Sequence, residues 1–387
     1  MKLLKQGRVY APQDLGRKDV LIAGGKIIAI EDEITMPNSG FVEVIDARGK
    51  LVVPGFVDSL VHITGGGGEG GFTTRTPEMH INDAVVGGVT TLVGVLGTDA
   101  ITRSLENLLA KAKELKALGL SVYCYTGSYH LPAVTITESI TKDIMLIDEF
   151  IGVGEVAIAD HRATPVDHLT LAQVASQART GGMLASKSGI VSIHVGDDKQ
   201  GLNLLREVAE YSAIPVGQFY PTHINRTKAL LADGIEFAKQ GGYIDFTTST
   251  TAQILAQGEV AAAQALAIAL QEGVDIGQLT MSSDGNASLP VFDDKAKLID
   301  LQLGEVKTLH QSFVEAINCY QVDIELALRS VTSSPADILA LKQKGRLILG
   351  NDADINLLDE QSLAIDSVIA NGAFLMRANT LITNAYF

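Results

Sequence analysis

Histidine, tyrosine and carboxylate side chains stand at or near the ends of several short apolar runs of this sequence. Imidazoles and carboxylates at one centre suit a divalent metal ion, and among the common ions they suit Zn²⁺ best. A carboxylate between two such ions could bridge them, and the pair would generate a hydroxide nucleophile near neutral pH while polarising a carbonyl group. The candidate residues are His62, Tyr129, Glu155, His194, His223 and Asp284.

Glu155 is the most informative of these residues. It lies in the apolar segment VGEVAIA, where an isolated carboxylate is costly unless it is paired or bound to a cation. A metal ion would meet that need, and a salt bridge with Arg162 is the structural alternative. Asp284, at the end of another apolar run, could ligate one ion and carry the proton that hydrolysis requires.

The other histidines and the glycine run have plainer interpretations. A lone histidine at a strand end is more often hydrogen-bonded within the protein than bound to metal. The remaining histidines are interpreted as structural or solvated, because most lie in helices or loops away from strand ends: His80, His130, His161, His168 and His310. The run GGGGEGG, residues 65–71, could be a flexible loop.

Short apolar strands that alternate with helical stretches would position the candidate residues. The clearest helix, SLENLLAKAKELKALG, should stop at Gly119. Its apolar face comprises Leu105, Leu108, Ala112 and Leu115. The eight strand candidates are LVVPGFVDSLVH, GVTTLVGVLG, LSVYCYTGSYH, GVGEVAIADHR, GIVSIHVG, FYPTHIN, YIDFTTST and LTMSSDGN. Eight parallel strands close a (β/α)8 barrel, an α/β fold with its active site at the carboxyl ends of the strands.

Both ends of the chain read as short strands joined by turns. DVLIAGGKIIAI places two apolar runs around Gly24-Gly25, and SVIANGAFLM has Asn371-Gly372 as a hairpin turn. We expect the two ends to complete one small β-domain, residues 1–53 plus 341–387, beside a catalytic barrel of residues 54–340.

Composition narrows the classes of function. The chain has 387 residues, is 46% hydrophobic and can bury a large core. A formal net charge of −15 argues against nucleic acid as a partner and favours a small-molecule substrate. Two cysteines, Cys124 and Cys319, indicate a reducing cytoplasm without a disulfide framework. No apolar stretch approaches the roughly 20 residues that a membrane span needs, so we predict a cytoplasmic protein with no membrane partner.

The motifs together resemble the amidohydrolase superfamily and, within it, the isoaspartyl (β-aspartyl) dipeptidases. The resemblance runs nearly end to end, through PGFVD, GGGGEGGFTTRTPE, LGTDAITR, YTGSYHLP, ADHRA, PTHINR, SSDGNAS, VTSSPADILAL and KGRLILGNDADINLLD. The glycine-glutamate loop with TTRTPE is particular to the dipeptidases. The resemblance implies a TIM-like barrel flanked by a small β-sandwich from both termini, a binuclear zinc centre, dipeptide substrates linked through the aspartate β-carboxyl group, and a homo-oligomer, specifically an octamer.

The resemblance also implies a role for each site residue. Metal ligands map onto His62, His194, His223 and Asp284, and Asp284 also acts as general base and acid. Tyr129 is expected to donate to the carbonyl oxygen as it becomes an oxyanion, and Glu69 to pair with the free α-amino group. The residues expected to hold substrate carboxylates are Thr98, Arg162, Arg226 and Ser288. The glycines would let the backbone approach the ligand closely.

Two positions depart from the pattern of the superfamily. Glu155 stands where the bridging ligand is usually a carbamylated lysine, and its carboxylate carries the same charge. Leu60, in SLVH, stands where the first histidine of His-x-His is expected, and leucine cannot bind metal. We therefore expect two zinc ions per chain, with the first position weakened, empty or completed by water, because its protein ligands are at most His62, Glu155 and Asp284.

Two other functions stay open. The chain could be an amidohydrolase that acts on another small amide or a cyclic imide, although an uncharged ring has no use for Glu69 and two arginines. It could also have lost activity with Leu60 and keep a ligand-binding or assembly role. Retention of the other expected groups counts against that loss.

Overall fold

A computed structural model of the chain describes residues 1–36, 40–292, 298–383 and 385. The strands of the N-terminal region are β1 (Lys2–Tyr10), β2 (Asp14–Ala23), β3 (Lys26–Glu31), β4 (Glu43–Asp46) and β5 (Lys50–Pro54). The parallel strands are β6 (Phe56–Val61), β7 (Val89–Gly94), β8 (Ser121–Thr126), β9 (Phe150–Ile158), β10 (Ile190–Val195), β11 (Phe219–Thr222), β12 (Ile244–Thr247) and β13 (Leu279–Ser282). The last strands are β14 (Ser288–Phe292), β15 (Leu298–Leu303), β16 (Ile355–Asp359), β17 (Ile365–Ala370), β18 (Ala373–Arg377) and β19 (Thr380–Leu381).

Helices lie between the parallel strands and after them. They are α1 (Ile81–Val86), α2 (Leu105–Ala117), α3 (Ile140–Leu146), α4 (His168–Ala185), α5 (Asn203–Tyr211), α6 (Lys228–Lys239), α7 (Ala252–Ala256), α8 (Ala262–Gln271), α9 (Thr308–Asn318), α10 (Ile324–Val331) and α11 (Ser333–Ile338). None of the helices in the described ranges combines the length and the apolar character that a bilayer crossing needs.

The central strands are parallel and paired in sequence order. Strands β6 to β11 form one sheet, and β12 pairs with β13 in another. At least one helix separates each of these strands from the next. The Asn225 side chain links the strand ends of β11 and β12, since it donates to the Thr247 carbonyl at 3.0 Å and accepts from the Thr247 amide at 2.9 Å. The His62 amide donates to the Gly285 carbonyl at 2.8 Å, which joins the end of β6 to that of β13. The predicted α/β class is therefore confirmed.

All eight strand candidates contain a parallel strand, but the first one needs a correction. LVVPGFVDSLVH holds two strands, β5 and β6, which belong to different sheets. The Gly55 amide donates to Asp354 in the terminal region, at 2.9 Å, whereas the Phe56 amide donates to Gly88 ahead of β7, at 3.0 Å. An added Cβ on Gly55 would lie 2.2 Å from Thr90 Oγ1, so only glycine fits where the chain crosses between the sheets.

Helix α2 confirms the clearest helix prediction. The predicted apolar face is buried: Leu105, Leu108, Ala112 and Leu115 are each at most 4% exposed. Ser104 caps the amino end by accepting from the Asn107 amide, and Gly119 follows the helix with φ of 116°. The periodicity alone was sufficient here because one face meets the core.

Strands from both ends of the chain form one nine-stranded sheet. Its order is β19-β18-β17-β16-β5-β1-β2-β3, with β4 paired to β1. The two hairpin predictions are confirmed, because Ala23 pairs with Lys26 across Gly24-Gly25 and Ala370 pairs with Ala373 across the second turn. The antiparallel pairing of β16 with β5 brings the two ends together. The sequence analysis did not predict the antiparallel pair β14 and β15 or helices α9 to α11.

Two apolar clusters cover the two faces of the parallel strands. The larger cluster lies between the strands and the helices and includes Phe56, Val61 and Leu108. The smaller one lies on the other strand face and includes Val57, Leu60, Val93, Tyr125, Ile151 and Tyr220. The smaller cluster departs from the two-residue period of a strand in β6, since it contains both Val57 and Leu60, and the pairing of β6 with β7 shifts register between Asp58 and Val61. The same cluster assigns Leu60, 2% exposed, to the apolar interior.

Lys344 ties the terminal sheet to the parallel strands. Its side chain is 4% exposed, and its ammonium donates to Ser121 Oγ of β8 at 2.6 Å and to Asp354 at 2.7 Å. A second carboxylate, that of Asp352, lies 2.7 Å away. Lys344 therefore joins the terminal sheet to the amino end of β8, one of the parallel strands.

We predict that Lys344→Ala lowers the free energy of unfolding by about 3 to 5 kcal/mol, because it leaves Asp352 and Asp354 without their shared buried cation. Lys307→Ala is the matched control, since it breaks the exposed pair with Glu305 and should cost about 0 to 1 kcal/mol. Urea unfolding followed by circular dichroism measures both. Equal losses in the two variants would contradict the role given to Lys344.

Candidate active site

A cavity of about 570 Å³ lies where the parallel strands end. This volume is typical of sites for small molecules. Among its lining residues are all the predicted site residues except Glu155: His62, Glu69, Thr98, Tyr129, Arg162, His194, His223, Arg226, Asp284 and Ser288. The structure therefore brings together, in one place, residues that are spread over more than half of the chain.

Glu155 of β9 is the centre of a cluster of imidazoles. Its side chain is 1% exposed, and its Oε1 lies 3.2 Å from His62 Nε2. Its Oε2 lies 3.5 Å from His194 Nδ1 and 3.8 Å from His223 Nε2. Ligand atoms of Glu155, His194 and His223 all lie within 4.8 Å of one another, close enough to share one metal ion. The predicted alternative for Glu155, a salt bridge with Arg162, is wrong, because Arg162 pairs with Asp160 and Glu69.

Asp284 completes the cluster from the end of β13. Its Oδ1 lies 3.2 Å from the same Nε2 of His62 that contacts Glu155. Asp284 and His223 both have left-handed backbone conformations, with φ of 51° and 63°. Non-glycine residues in this region are uncommon and concentrate at functional sites.

The buried acceptors of the cluster fit a cation. Neither oxygen of Glu155, nor Oδ1 of Asp284, accepts a hydrogen bond of good geometry from any residue that the structure describes, although imidazoles stand nearby. A buried acceptor without a donor is costly. Two carboxylates and three imidazoles around such atoms are the oxygen and nitrogen donors that a divalent transition metal prefers. The cluster is therefore a candidate metal centre.

Electrostatics of the cluster agree with this assignment. Burial raises the pKa of Glu155, but His194, His223 and His62 outweigh burial and hold its pKa well below the usual range. Burial lowers the pKa of His62, whereas Asp284 and Glu155 more than offset it and raise the pKa to about 10. Burial and the neighbouring His194 lower the pKa of His223 to about 4. The carboxylates thus attract positive charge and His223 is kept neutral, whereas His62 must release its proton to serve as a metal ligand.

Partners outside the cluster orient two of its histidines. His223 Nδ1 lies 2.5 Å from Thr247 Oγ1, and His194 Nε2 lies 3.0 Å from Asp160 Oδ2. Such contacts fix the tautomer and ring orientation of metal-binding histidines. The sequence analysis missed both partners. Asp160 lies in ADHRA, one of the segments that carry the family resemblance, and Thr247 lies in a predicted strand. Position in the sequence was therefore the only indication that either residue could belong to the site.

Charged side chains form a second group beside the metal cluster. Arg162 bonds to Asp160 through Nε at 3.0 Å and Nη2 at 2.7 Å, and its Nη1 lies 3.3 Å from Glu69 Oε1. Ser288 donates to Glu69 Oε2 at 3.1 Å. Arg226 Nη1 lies 3.9 Å from Asp160. Glu69 thus contacts two of the other predicted substrate-binding residues, Arg162 and Ser288, and Arg226 lies close by.

Tyr129 lies between the two groups. Its hydroxyl is 2.8 Å from His194 Nδ1, and the guanidinium carbon of Arg162 lies 5.5 Å from its ring centre. Burial raises the pKa of Tyr129 well above its ordinary value, so the hydroxyl keeps its proton and can donate it in a hydrogen bond. Thr98 lines the cavity as a half-buried residue.

The glycine loop is held in place rather than loosely attached. Arg103, which is 6% exposed, donates to the carbonyls of Thr64, Gly66 and Thr76, the last at 2.8 Å. Gly65 has φ of 79°, and a Cβ there would lie 2.4 Å from the Thr76 carbonyl. The alternative of a plain flexible loop is therefore not supported for these residues. Arg103 was missed as a site residue because a buried arginine bonded only to carbonyls has no distinctive sequence pattern.

Comparison with known proteins identifies the family. The profile of the amidohydrolase family matches residues 51–380, and the chain belongs to that family. It is therefore a hydrolase, as the sequence predicted. The crystal structure of a beta-aspartyl dipeptidase from Fervidobacterium islandicum AW-1, in complex with beta-Asp-Leu dipeptide, is 42% identical over the full length of both chains, with a TM-score of 0.93. The predicted resemblance to the β-aspartyl dipeptidases is confirmed.

Curated relatives include dihydroorotases. The enzyme from Listeria monocytogenes serotype 4a (strain HCC23) is 31% identical over 230 residues, which cover 54% of this chain and 49% of the relative. The chain thus spans about half of the length of that relative. The dihydroorotase of Aquifex aeolicus (strain VF5) is 26% identical over 92% of this chain and 89% of its own.

We predict that Glu155→Ala lowers the metal content of the purified protein, because the clustered histidines lose their shared anionic ligand. Metal per chain, measured by inductively coupled plasma mass spectrometry, checks this. Glu149→Ala is the control, since it removes a buried carboxylate that pairs with Lys116 instead, at 2.8 Å, and should leave the metal content unchanged. A Glu155→Ala protein with full metal content would exclude Glu155 as a ligand.

Proposed function

We propose that this chain is a metal-dependent β-aspartyl dipeptidase. One observation carries the proposal: a single cavity holds both the Glu155 cluster and the charged group of Glu69, Arg162 and Arg226. A dipeptide linked through the aspartate side chain presents one ammonium and two carboxylates around a central amide. The cavity offers matching charges, and the full-length similarity to an enzyme crystallised with beta-Asp-Leu supports the same substrate class.

The charged group is assigned to substrate binding. Glu69 pairs with the free α-ammonium group, close to where it now accepts from Ser288. The substrate carboxylates are held by Arg162, Arg226, Thr98 and Ser288. A guanidinium fork suits a carboxylate because two parallel N–H donors meet two oxygens. These contacts fix the amide relative to the metal cluster and so reduce the entropic cost of reaction.

The metal cluster is assigned two Zn²⁺ ions per chain. His62, Glu155 and Asp284 would hold the first, and His194, His223 and Glu155 the second, with Glu155 shared. When bound, such ions promote ionisation of water near neutral pH and polarise a carbonyl oxygen. The first position is weaker, because Leu60 stands two residues before His62 and packs into an apolar cluster with Val57 and Tyr125.

Asp284 is assigned the proton transfer, and Tyr129 is assigned the hydrogen bond to the substrate carbonyl oxygen. The Asp284 carboxylate accepts a proton from the attacking water as general base and returns it to the leaving amine as general acid. The Tyr129 hydroxyl donates to the substrate carbonyl oxygen as negative charge develops there. Its raised pKa keeps that hydroxyl protonated over the pH range in which such enzymes work.

The domain architecture, the oligomeric state and the cellular location are proposed from the same family resemblance. We propose that the eight parallel strands close into a (β/α)8 barrel of residues 54–340, a closure supported by the bond between His62 and Gly285. Residues 1–53 and 341–387 would form the small β-sandwich domain, of which residues 37–39, 384, 386 and 387 lie outside the described ranges. A homo-octamer in the cytoplasm is the assembly and location proposed.

Hydrolysis of a cyclic amide is the second candidate function. The similarity to dihydroorotases favours it, although at 26% to 31% identity, below the 42% of the dipeptidase. The dipeptidase is preferred because Glu69 is a buried carboxylate in the substrate cavity, 9% exposed, where a substrate ammonium is its natural partner. Parallel assays with β-Asp-Leu and dihydroorotate separate the two candidates.

We predict zinc-dependent hydrolysis of β-Asp-Leu and a loss of about 2 to 5 kcal/mol of transition-state binding in Glu69→Ala and Arg226→Ala. Both variants should keep the metal content of the wild type, because neither residue faces the metal cluster. The measurements are kcat/KM and metal per chain, with α-Asp-Leu as the control substrate. Faster turnover of dihydroorotate than of β-Asp-Leu would overturn the proposal, and loss of metal would mean that the variant residue is misplaced.

We predict that Leu60→His raises zinc content and kcat/KM together, because it adds a nitrogen ligand near the weaker position. The wild-type protein should show unequal occupancy of two sites and activity that rises with added zinc. A zinc titration of both proteins, with bound metal and β-Asp-Leu hydrolysis measured in the same samples, checks this. Leu60→Met is the control for repacking the apolar cluster without a nitrogen donor. Equal, full occupancy in wild type and Leu60→His would show that Leu60 is no defect.

A further inference from the structure

Asp160 contacts both halves of the site. Its side chain is 4% exposed and follows the end of β9. Its Oδ2 lies 3.0 Å from His194 Nε2 and 2.7 Å from Arg162 Nη2. Its Oδ1 accepts from Arg162 Nε at 3.0 Å and from the Arg162 amide at 2.8 Å. One buried carboxylate therefore contacts both a histidine of the metal cluster and Arg162 of the charged group assigned to substrate binding. We call that group, Glu69, Arg162 and Arg226, the substrate clamp.

We propose that Asp160 is a positioning residue that couples the metal centre to the substrate clamp. The inference rests on the proposed function and adds to it a residue that touches neither metal nor substrate. Asp160 would set which nitrogen of His194 is free for the metal, and would fix the plane of the Arg162 guanidinium. Removing it should therefore weaken metal binding and substrate binding together.

The effect on His194 follows from the two nitrogens of an imidazole. A neutral ring that donates Nε2–H to a carboxylate carries its lone pair on Nδ1. In this chain Nδ1 is the nitrogen that faces Glu155 Oε2, at 3.5 Å, and that lies 2.8 Å from the Tyr129 hydroxyl. Asp160 thus directs the lone pair toward the cluster, and the Tyr129 hydroxyl can donate a hydrogen bond to that lone pair when no metal ion binds it.

The effect on Arg162 follows from its donor count. A guanidinium has five N–H donors in a rigid plane. Asp160 takes the one on Nε and one on Nη2, and Glu69 takes one on Nη1, which leaves two for a substrate carboxylate. Without Asp160 the side chain would be held only through Glu69. The fork would then lose its fixed orientation and with it much of its advantage for bidentate binding.

Asp160→Asn is the direct test, because it keeps the shape but replaces one oxygen by an NH2 group that must face either His194 or Arg162, both donors. We expect zinc affinity to fall by about 10- to 100-fold, measured by competition with a chromophoric chelator. We also expect KM for β-Asp-Leu to rise when zinc is saturating. Asp197→Asn, which removes the same charge from an exposed residue of the same cavity, should change neither quantity.

Arg162→Gln separates the two arms of the coupling. It removes the clamp but leaves the contact between Asp160 and His194, so KM should rise while zinc affinity stays within about twofold of wild type. The coupling is overturned if Asp160→Asn binds zinc as tightly as wild type does, or if Asp197→Asn weakens zinc equally. A wild-type protein that binds no zinc would overturn the proposed function itself.

The tautomer of His194 in the wild-type protein tests the same role of Asp160 and does not require that Asp160→Asn folds. Nuclear magnetic resonance of metal-free protein with 15N-labelled histidine, at pH 8, reports the tautomer of His194. The signal is assigned by its absence in His194→Gln. The expected result is a proton on Nε2 and none on Nδ1. A proton on Nδ1 would show that Asp160 does not set the tautomer and would overturn the proposal.

Discussion

A buried negative charge on Glu155 is the constraint on which the site depends. The carboxylate is enclosed by strand residues, and its oxygens accept no well-formed hydrogen bond within the described part of the chain. A charge in such a place is tolerated only with a compensating cation close by. In the metal-free chain His62 supplies part of that compensation, because Asp284 and Glu155 more than offset the effect of burial and raise its pKa to about 10. The proposed metal would replace the proton on His62 and compensate the same buried charge.

The fold meets that constraint by rigid anchoring outside the cluster. Thr247 and Asp160 each hold one ligand histidine, and Asn225 ties the strand end that bears His223 to its neighbour. Thr247 is the last residue of β12, whereas Asp160 and Asn225 lie in the short segments that follow β9 and β11. Of the candidate ligands, Glu155 and His194 lie within strands, and the others follow a strand end closely, as precise placement of a catalytic site requires: His62, His223 and Asp284.

The sequence was sufficient to predict the eight parallel strands and most of the residues that line the cavity, but not the contacts between them. Apolar runs that end in His62, His194 or Asp284 predicted the strands and the cavity, because strand ends meet at one edge of a parallel sheet. The division of LVVPGFVDSLVH between two sheets was missed, because Gly55 and Phe56 bond to partners far along the chain. Asp160 was missed for a similar reason, since its role depends on the distance to His194, 34 residues away.

The preference for a charged substrate follows from the contacts that the clamp residues make with one another when no substrate is bound. Glu69 accepts from Ser288 and Arg162, and Arg162 is held by Asp160, so no charge of the clamp stands unpaired in the structure as described. A substrate with an ammonium and carboxylates can replace these contacts with equivalent ones. A ring substrate without an ammonium group offers Glu69 no cation, so it cannot replace the contacts of that carboxylate. Under the proposed function, Glu69 therefore favours a β-aspartyl dipeptide over dihydroorotate, whose single carboxylate suits only the arginines.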